Sequence, residues 1–254
     1  MAYQGSSRTI RAVDISCRIL KTLQRHGSLG VTAIATELDH SKSTVHSHLA
    51  TLVENDLLVK EGDQYKLSLL HLDMAEQVKA QVGNYDIVRS EVDTLAERTQ
   101  EVARFAVAEQ GRIVCLYKRT SENGMKTPPS VGKTQPLHSS AIGKAILSTF
   151  PDERVGEIVD DRDLERKTEN TITSRERLFQ ELQQIRERGY AVDREENVEG
   201  IRCVAAPVYY RSTRGGVSVT APASRLQGAR LEEELPDQVC RTANLIEVNS
   251  RFQS

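Results

Sequence analysis

The chain has 254 residues, enough for one large domain or two ordinary ones, and its 38% hydrophobic and 28% charged residues are typical of a globular protein. It contains no run of about 18 apolar residues, so no membrane-spanning helix is expected. The opening MAYQGSSRTIRAV has no apolar leader, so a cytoplasmic location is expected. The net charge of −2 argues neither for nor against nucleic acid, and the four scattered cysteines, Cys17, Cys115, Cys203 and Cys240, argue against a CxxC zinc site or a disulfide framework. No cofactor or metal is implied. Residues 1–84 hold nine basic and nine acidic residues, so any nucleic-acid binding there must come from local patches.

Read in chain order, RTIRAVDISCRILKTLQRHG predicts a helix. Its broad stripe is Ile10, Val13, Ile15, Cys17, Ile19, Leu20 and Leu23, and Gly27 closes it. VTAIATELD predicts a short helix with Thr32 as its cap and Ala33, Ile34 and Leu38 facing inward. In HSKSTVHSHLATLV, Ser41 caps a helix whose Val45, Leu49, Leu52 and Val53 repeat at amphipathic spacing. LLVKEGDQYKLS reads as two strands about a Gly62-Asp63 turn. Three helices and a hairpin make a winged helix-turn-helix. LLHLDMAEQVKAQVGN is then a linker helix, with Leu69, Leu72, Ala75, Val78 and Val82 on one side.

From residue 85 the pattern changes. YDIVRSEVDTLAERTQ is helical, and EVARFAVAE and RIVCLYKR are strands about Gln110-Gly111. LHSSAIGKAILSTF is a helix entered through a hydroxyl-rich turn. TSRERLFQELQQIRERG shows a capping box from Thr173 to Glu176 and a Gly189 stop. YAVD, IRCVAAPVYY and GGVSVTA are strands. A last helix over 229–251 turns Leu231, Leu235, Val239 and Ile246 to one face. The fold class is α+β with a mostly antiparallel sheet. The expected divisions are 1–68, 69–84 and 85–254.

The recognition helix carries no carboxylate on its leading turns. Asp or Glu there would be repelled by the phosphate walls of a major groove, while Lys, Ser, Thr and free helix amides donate to phosphate oxygens. Lys42, Ser43, Thr44 and His46 are candidate DNA contacts, against a plain reading as cap and solvated surface. His48 lies near the apolar stripe, so packing competes with contact. Gln64 and Lys66 in the wing could touch phosphate or simply be solvated. A second candidate site is the turn at Ser140, Ala141 and Ile142, where unpaired amides can hold an anion, against a reading as small residues packed under a helix. Period-two alternation puts Ser218 and Thr220 on one strand face, with Val217 and Val219 on the other, and puts Ile201 with Cys203.

KSTVHSHLATLVENDLLVKEGDQYKLS resembles the winged helix-turn-helix of the IclR family of transcriptional regulators. The likeness continues in LHSSAIGKAIL and in RGYAVDREENVEGIRCVAAPV, and spans roughly residues 8–250. It implies a DNA-binding domain, a linker helix and a GAF-like effector domain. It also implies a homodimer, or a tetramer of dimers, acting on a double-stranded operator as repressor or activator. The family commonly binds small organic acids, and Asp193, Cys203, Ser218 and Thr220 match its effector-contacting positions. The sequence departs from the family in the recognition helix, where an arginine and a leucine often follow the histidine; here they are Ser47 and His48.

Rival readings are a constitutive DNA-binding dimer and a GAF-type enzyme using Cys203. VGKT at 131–134 is a poor phosphate loop, since Thr127 stands where the first glycine belongs and Pro128-Pro129 stiffen the approach. His46 and His48, two residues apart, point to different helix faces and cannot share a metal. No nucleophile–base pattern is present, so catalysis is not expected.

Overall fold

The computed structural model describes residues 9–82, 85–127, 131–161, 163–210 and 213–252; Pro128, Pro129, Gly83 and Asn84 lie outside that set. The chain forms two compact units that meet between Gln81 and Val82.

In the first unit, helices α1 (Arg11–His26), α2 (Val31–Leu38) and α3 (Lys42–Glu54) are followed by strands β2 (Leu58–Glu61) and β3 (Gln64–Leu67). A three-residue strand, β1 (Ser28–Gly30), pairs antiparallel with β3, giving the sheet order β1-β3-β2. Its brevity hid it from periodicity. The wing turns on Gly62, whose φ of 59 suits glycine. One core joins Ile15, Ile19 and Leu23 of α1, Ile34 and Leu38 of α2, and Val45, Leu49 and Leu52 of α3, with Leu58 and Tyr65 beneath.

The α1 stripe is narrower than expected. Ile10, Val13 and Cys17 are exposed, because the helix buries the side of Ile15, Ile19, Thr22 and Leu23 and turns those three away from it. Thr32 does not cap α2; the N-cap is Gly30, and Ala33 is exposed. Helix α4 (Leu70–Val82) has its predicted stripe in solvent: Leu69, Leu72, Ala75 and Val78 are all exposed, Leu72 at 64% and Val78 at 54%. The Val82 side chain lies outside the described set.

In the second unit a six-stranded sheet has the order β6-β5-β4-β9-β8-β7, with every neighbouring pair antiparallel. The strands are β4 (Val102–Glu109), β5 (Arg112–Thr120), β6 (Thr134–Gln135), β7 (Ala191–Arg194), β8 (Ile201–Tyr210) and β9 (Thr213–Pro222). Alternation divides β4 cleanly. Ala103, Phe105 and Val107 pack with α5 (Tyr85–Thr99) and α9 (Leu235–Phe252). Ala106 faces α6 (Ala141–Ser148), α7 (Asp152–Asp160) and α8 (Arg175–Arg188). The sheet is therefore covered on both faces. The last helix enters through a π-helical turn, Arg230–Glu234, and its predicted face of Leu231, Leu235, Val239 and Ile246 is buried.

The cap of α8 is Ser174, accepting from Arg177 N at 3.2 Å; expectation put it one residue earlier, in a Thr-Ser pair where both hydroxyls qualify. Helices α7 and strand β6 were not anticipated. Helix α6 is pressed against the sheet. A Cβ on Gly143 would lie 2.2 Å from the Leu137 carbonyl, and one on Gly216 would lie 3.1 Å from Ile142 Cγ1. Glycine at both positions brings the α6 N-terminus down to the strands that carry the predicted effector residues.

Candidate functional site

In the first unit the exposed face of α3 is assembled by its own cap. Ser41 Oγ accepts from Thr44 N at 3.1 Å and lies 2.8 Å from Thr44 Oγ1, so the Thr44 hydroxyl is turned back onto the cap. Ser47 Oγ donates to Ser43 O at 3.1 Å, which leaves the hydroxyl free only as an acceptor. Among the described residues Lys42, Ser43 and His46 have exposed side chains with no hydrogen bond or ion pair. No acid occupies the first turn. His48 differs: it is half-buried, with Nδ1 2.8 Å from Ser16 Oγ of α1. That bond gives the packing reading its observation, and it orients α3 on α1.

His46 borders a concavity with Gly30 to Ala33 on one side and Lys60 and Gln64 of the wing on the other. Lys60, which sequence reasoning passed over, is the exposed wing cation, its Nζ 5.7 Å from the Tyr65 ring centroid. Lys66 is ion-paired with Glu61, so it is the less available of the two.

In the second unit a cavity of ≈ 310 Å³ lies between the α6 N-terminus and the sheet. Ser140, Ile142, Asp193, Cys203, Ser218 and Thr220 all line it. Ala141 does not; it is fully buried in the core beneath α6, because the residue after the cap turns toward the sheet. Strand register explains the convergence. Thr220, Cys203 and Asp193 are successive cross-strand partners on β9, β8 and β7, and Ser218 faces Arg104 across β9 and β4. The lining also includes Arg104, Thr127, Gln135 and Asn197, which sequence reasoning did not single out. Only Arg104 had a visible signal: it is a lone charge inside the apolar strand VARFAVA.

The polar groups here are unevenly satisfied. Ser140 Oγ caps Gly143 N at 3.3 Å, and Thr220 Oγ1 donates to Cys203 Sγ at 3.2 Å. Asp193 Oδ1 accepts from Glu196 N at 2.7 Å. Burial, reinforced by the Glu196 charge, pushes the Asp193 carboxyl up to about 7 against the pull of that N–H and of Lys144. Behind it, the buried Lys144 Nζ donates to Glu196 Oε1 and Oε2 at 2.6 and 2.8 Å. By contrast Ser218 Oγ, Thr127 Oγ1 and Arg104 Nε are buried with no hydrogen bond of normal geometry, although the Ser218 hydroxyl lies close enough to ease ionisation of Cys203 slightly. All three atoms belong to residues lining one cavity, and buried polar atoms are ordinarily paired.

Cys203 is a poor nucleophile. Burial and the Asp193 charge push its thiol up to about 11, so it is protonated at neutral pH. A second cavity, ≈ 440 Å³, lies beside α7, lined by Arg112 and by the acids Asp161, Asp163 and Glu165. None of the predicted effector residues reaches it, and among its described lining residues three acids stand against one arginine, which suits an anion badly.

A model of the IclR helix-turn-helix domain matches residues 12–62, and a model of the bacterial transcriptional regulator IclR C-terminal region matches residues 80–248. The chain belongs to the IclR family. As a member it is a DNA-binding, ligand-responsive transcriptional regulator. It is 32% identical over 253 residues to the probable HTH-type transcriptional regulator ArcR of Halobacterium salinarum, covering 97% of this chain and 96% of that one. The Thermotoga maritima IclR crystal structure is 28% identical with a TM-score of 0.77, covering 94% of this chain and 97% of its own. An IclR homolog from Microbacterium hydrocarbonoxydans, complexed with 4-hydroxybenzoate, shares the fold at 19% identity with a TM-score of 0.79, over 95% of this chain and 99% of that one. No helix among the described residues is long and apolar enough to cross a membrane.

Proposed function

We propose that this IclR-family regulator binds its operator through Lys42, Ser43, Thr44, His46 and Ser47, with Lys60 and Gln64 of the wing on flanking phosphate. His48 holds the helix in place through Ser16. Two copies would set two recognition helices about one helical turn apart on a roughly palindromic site in the cytoplasm, as a dimer or a tetramer of dimers. The effector is a small hydroxylated organic acid held between Ser140 and Ile142 of α6 and the strands bearing Asp193, Cys203, Ser218 and Thr220. It acts by binding one arrangement of the recognition helices better than another.

The observation that carries this reading is the trio of buried, unpaired polar atoms facing one cavity of ≈ 310 Å³, a volume suited to a small ligand. The carboxylate bound by the Microbacterium homolog is consistent with an acid. The test is a pocket-filling pair, Ser218→Leu and Thr220→Leu, assayed for operator binding with and without candidate acids. Both proteins are expected to bind the operator as wild type does and to ignore the acid that releases or recruits wild type. A wild-type response in both variants puts the effector elsewhere.

A further inference from the structure

Arg104 is the one cation lining the cavity among the described residues, and the reading above gives its charge no role. It lies in β4, inside the sheet, with Lys118 and Ser218 as its cross-strand partners on β5 and β9. Neither partner is acidic. Among the described residues Arg104 makes no ion pair and no side-chain hydrogen bond, and its Nε is buried. The cation is also crowded by its own kind: burial lowers the Lys118 pKa, and the Arg104 charge lowers it further. Lys118 in turn donates to Thr127 O at 2.9 Å, fixing the segment that presents Thr127 to the same cavity.

An arginine in such a place is costly without an anion, because a partly buried guanidinium without a counter-charge has lost water and gained nothing. Among the described residues the only carboxyl lining the cavity is Asp193. It sits on β7, three strands from β4 in the sheet order, or about 14 Å at a strand spacing of ~4.8 Å. Asp193 is already held by the Glu196 N–H. The cavity floor therefore runs from a cation at β4, past the Ser218 and Thr220 hydroxyls on β9, to a buried carboxyl at β7.

We propose that Arg104 is the anion anchor of the effector cavity and sets the effector class: a small monocarboxylic acid whose carboxylate lies at the β4 end and whose hydroxyl group reaches Asp193. This rests on the effector-cavity reading above. It moves the carboxylate from the α6 amides to the guanidinium, whose fork matches a carboxylate in two parallel hydrogen bonds. The Ser140–Ile142 turn then supplies amides to the rest of the ligand.

The test uses the full chain and three matched pairs: lactate with lactamide, 4-hydroxybenzoate with 4-hydroxybenzamide, and gluconate with gluconamide. Calorimetry is run on wild type, Arg104→Gln and Arg104→Lys. At least one acid is expected to bind wild type, with its amide weaker by about tenfold or more, the scale of a charge-assisted pair. Arg104→Gln should erase that preference and leave the affinity for the amide unchanged, while Arg104→Lys, keeping charge but losing the fork, falls between. The melting temperature separates anchor from scaffold. Deleting an unpaired cation should leave ligand-free Arg104→Gln at least as stable as wild type, whereas loss of a structural arginine would lower it, and a lowered value overturns the proposal. So does wild-type affinity of Arg104→Gln for the acid, equal binding of acid and amide by wild type, or no binding by any of the three acids. An acid that binds Arg104→Gln undiminished yet is blocked by Ser218→Leu would remove the anchor and keep the cavity. An acid indifferent to both substitutions would remove the cavity as well.

Discussion

Asp193→Asn isolates the cost of keeping a carboxyl in the effector cavity. Asp193 is 3% exposed. Burial, then the charge of Glu196, raises its pKa from 3.8 to about 7, against the Glu196 N–H and Lys144. A carboxyl whose folded pKa is raised keeps, in the native state, a proton that the unfolded chain has already lost. Stability is then greatest below the unfolded pKa, falls as pH climbs through the window from 3.8 to about 7, and is flat above it. A difference of a little over three pK units corresponds to about 4 kcal/mol at ~1.4 kcal/mol per unit. Asparagine keeps an oxygen to accept the 2.7 Å bond from Glu196 N but has no proton to lose. Urea unfolding at a series of pH values from 4 to 8 measures the effect as the difference between variant and wild type, so groups remote from Asp193 cancel. The stability of Asp193→Asn relative to wild type should rise by about 4 kcal/mol across that range. A difference that stays constant within ~1 kcal/mol would show that Asp193 is hydrated, and the buried carboxyl would be wrong. The same titration predicts that an anionic ligand binds more tightly as pH falls from 8 to 6, since a neutral Asp193 no longer repels it.

Replacing Lys42 and His46 together with alanine should abolish specific operator binding in a gel-shift titration with little change in melting temperature, because both side chains are exposed and unbonded; loss of Lys42 alone should reduce the salt slope by about one ion per bound copy. Lys144→Met strands the buried Glu196 carboxylate, whose pKa is already raised by burial and held down by Lys144. It should cost about 3–5 kcal/mol in denaturant unfolding, and Lys144→Met with Glu196→Leu should recover most of it; an additive double variant would contradict the pairing. Leu72→Glu with Val78→Glu should shift sedimentation toward monomer at micromolar concentration, since both residues are exposed and apolar on α4; an unchanged sedimentation coefficient would assign assembly to other surfaces.

How much of this was legible in the sequence depends on the length scale of the signal. The α3 core of Val45, Leu49 and Leu52 announces itself because a 13-residue helix gives its apolar period several turns to repeat. The Ser218/Thr220 and Val217/Val219 division follows from strand alternation alone, and the cavity and the core receive those residues as expected. Short elements lack that redundancy. β1 has three residues and β6 two, and neither can display a period. Loop contributors such as Thr127 and Asn197 reach the cavity through chain paths that no local pattern encodes. Arg104 was hidden differently. The strand was recognised from its apolar residues, and the one charge in its interior was passed over, although a cation in a central strand is the residue that most demands an explanation. Ala141 erred the other way, since its place in the motif suggested contact and the close approach of α6 turned it into the core.

The charge balance of the DNA-binding unit constrains how regulation can work. With nine basic and nine acidic residues over positions 1–84, one copy has little net attraction for phosphate. Among the described residues, Lys42 on α3 and Lys60 on the wing are the exposed cations of the face that carries His46. A slope of ~0.9 per phosphate neutralised then gives a single unit a salt dependence of only about two ions. Affinity from so few contacts is weak, and useful occupancy requires two units on one operator, where the second binds at the high effective concentration set by the first. Doubling the contacts should bring the slope for the assembled protein to about four. Under this arrangement a ligand need not touch the DNA face at all. Any effector that disfavours the spacing demanded by the operator removes the avidity and leaves two weakly binding halves. The measurement is operator binding at rising salt for the wild type and for Leu72→Glu with Val78→Glu. The exposed α4 stripe predicts that the variant loses both affinity and roughly half the slope, whereas a full slope with a monomeric protein would mean that one unit makes more phosphate contacts than Lys42 and Lys60 supply.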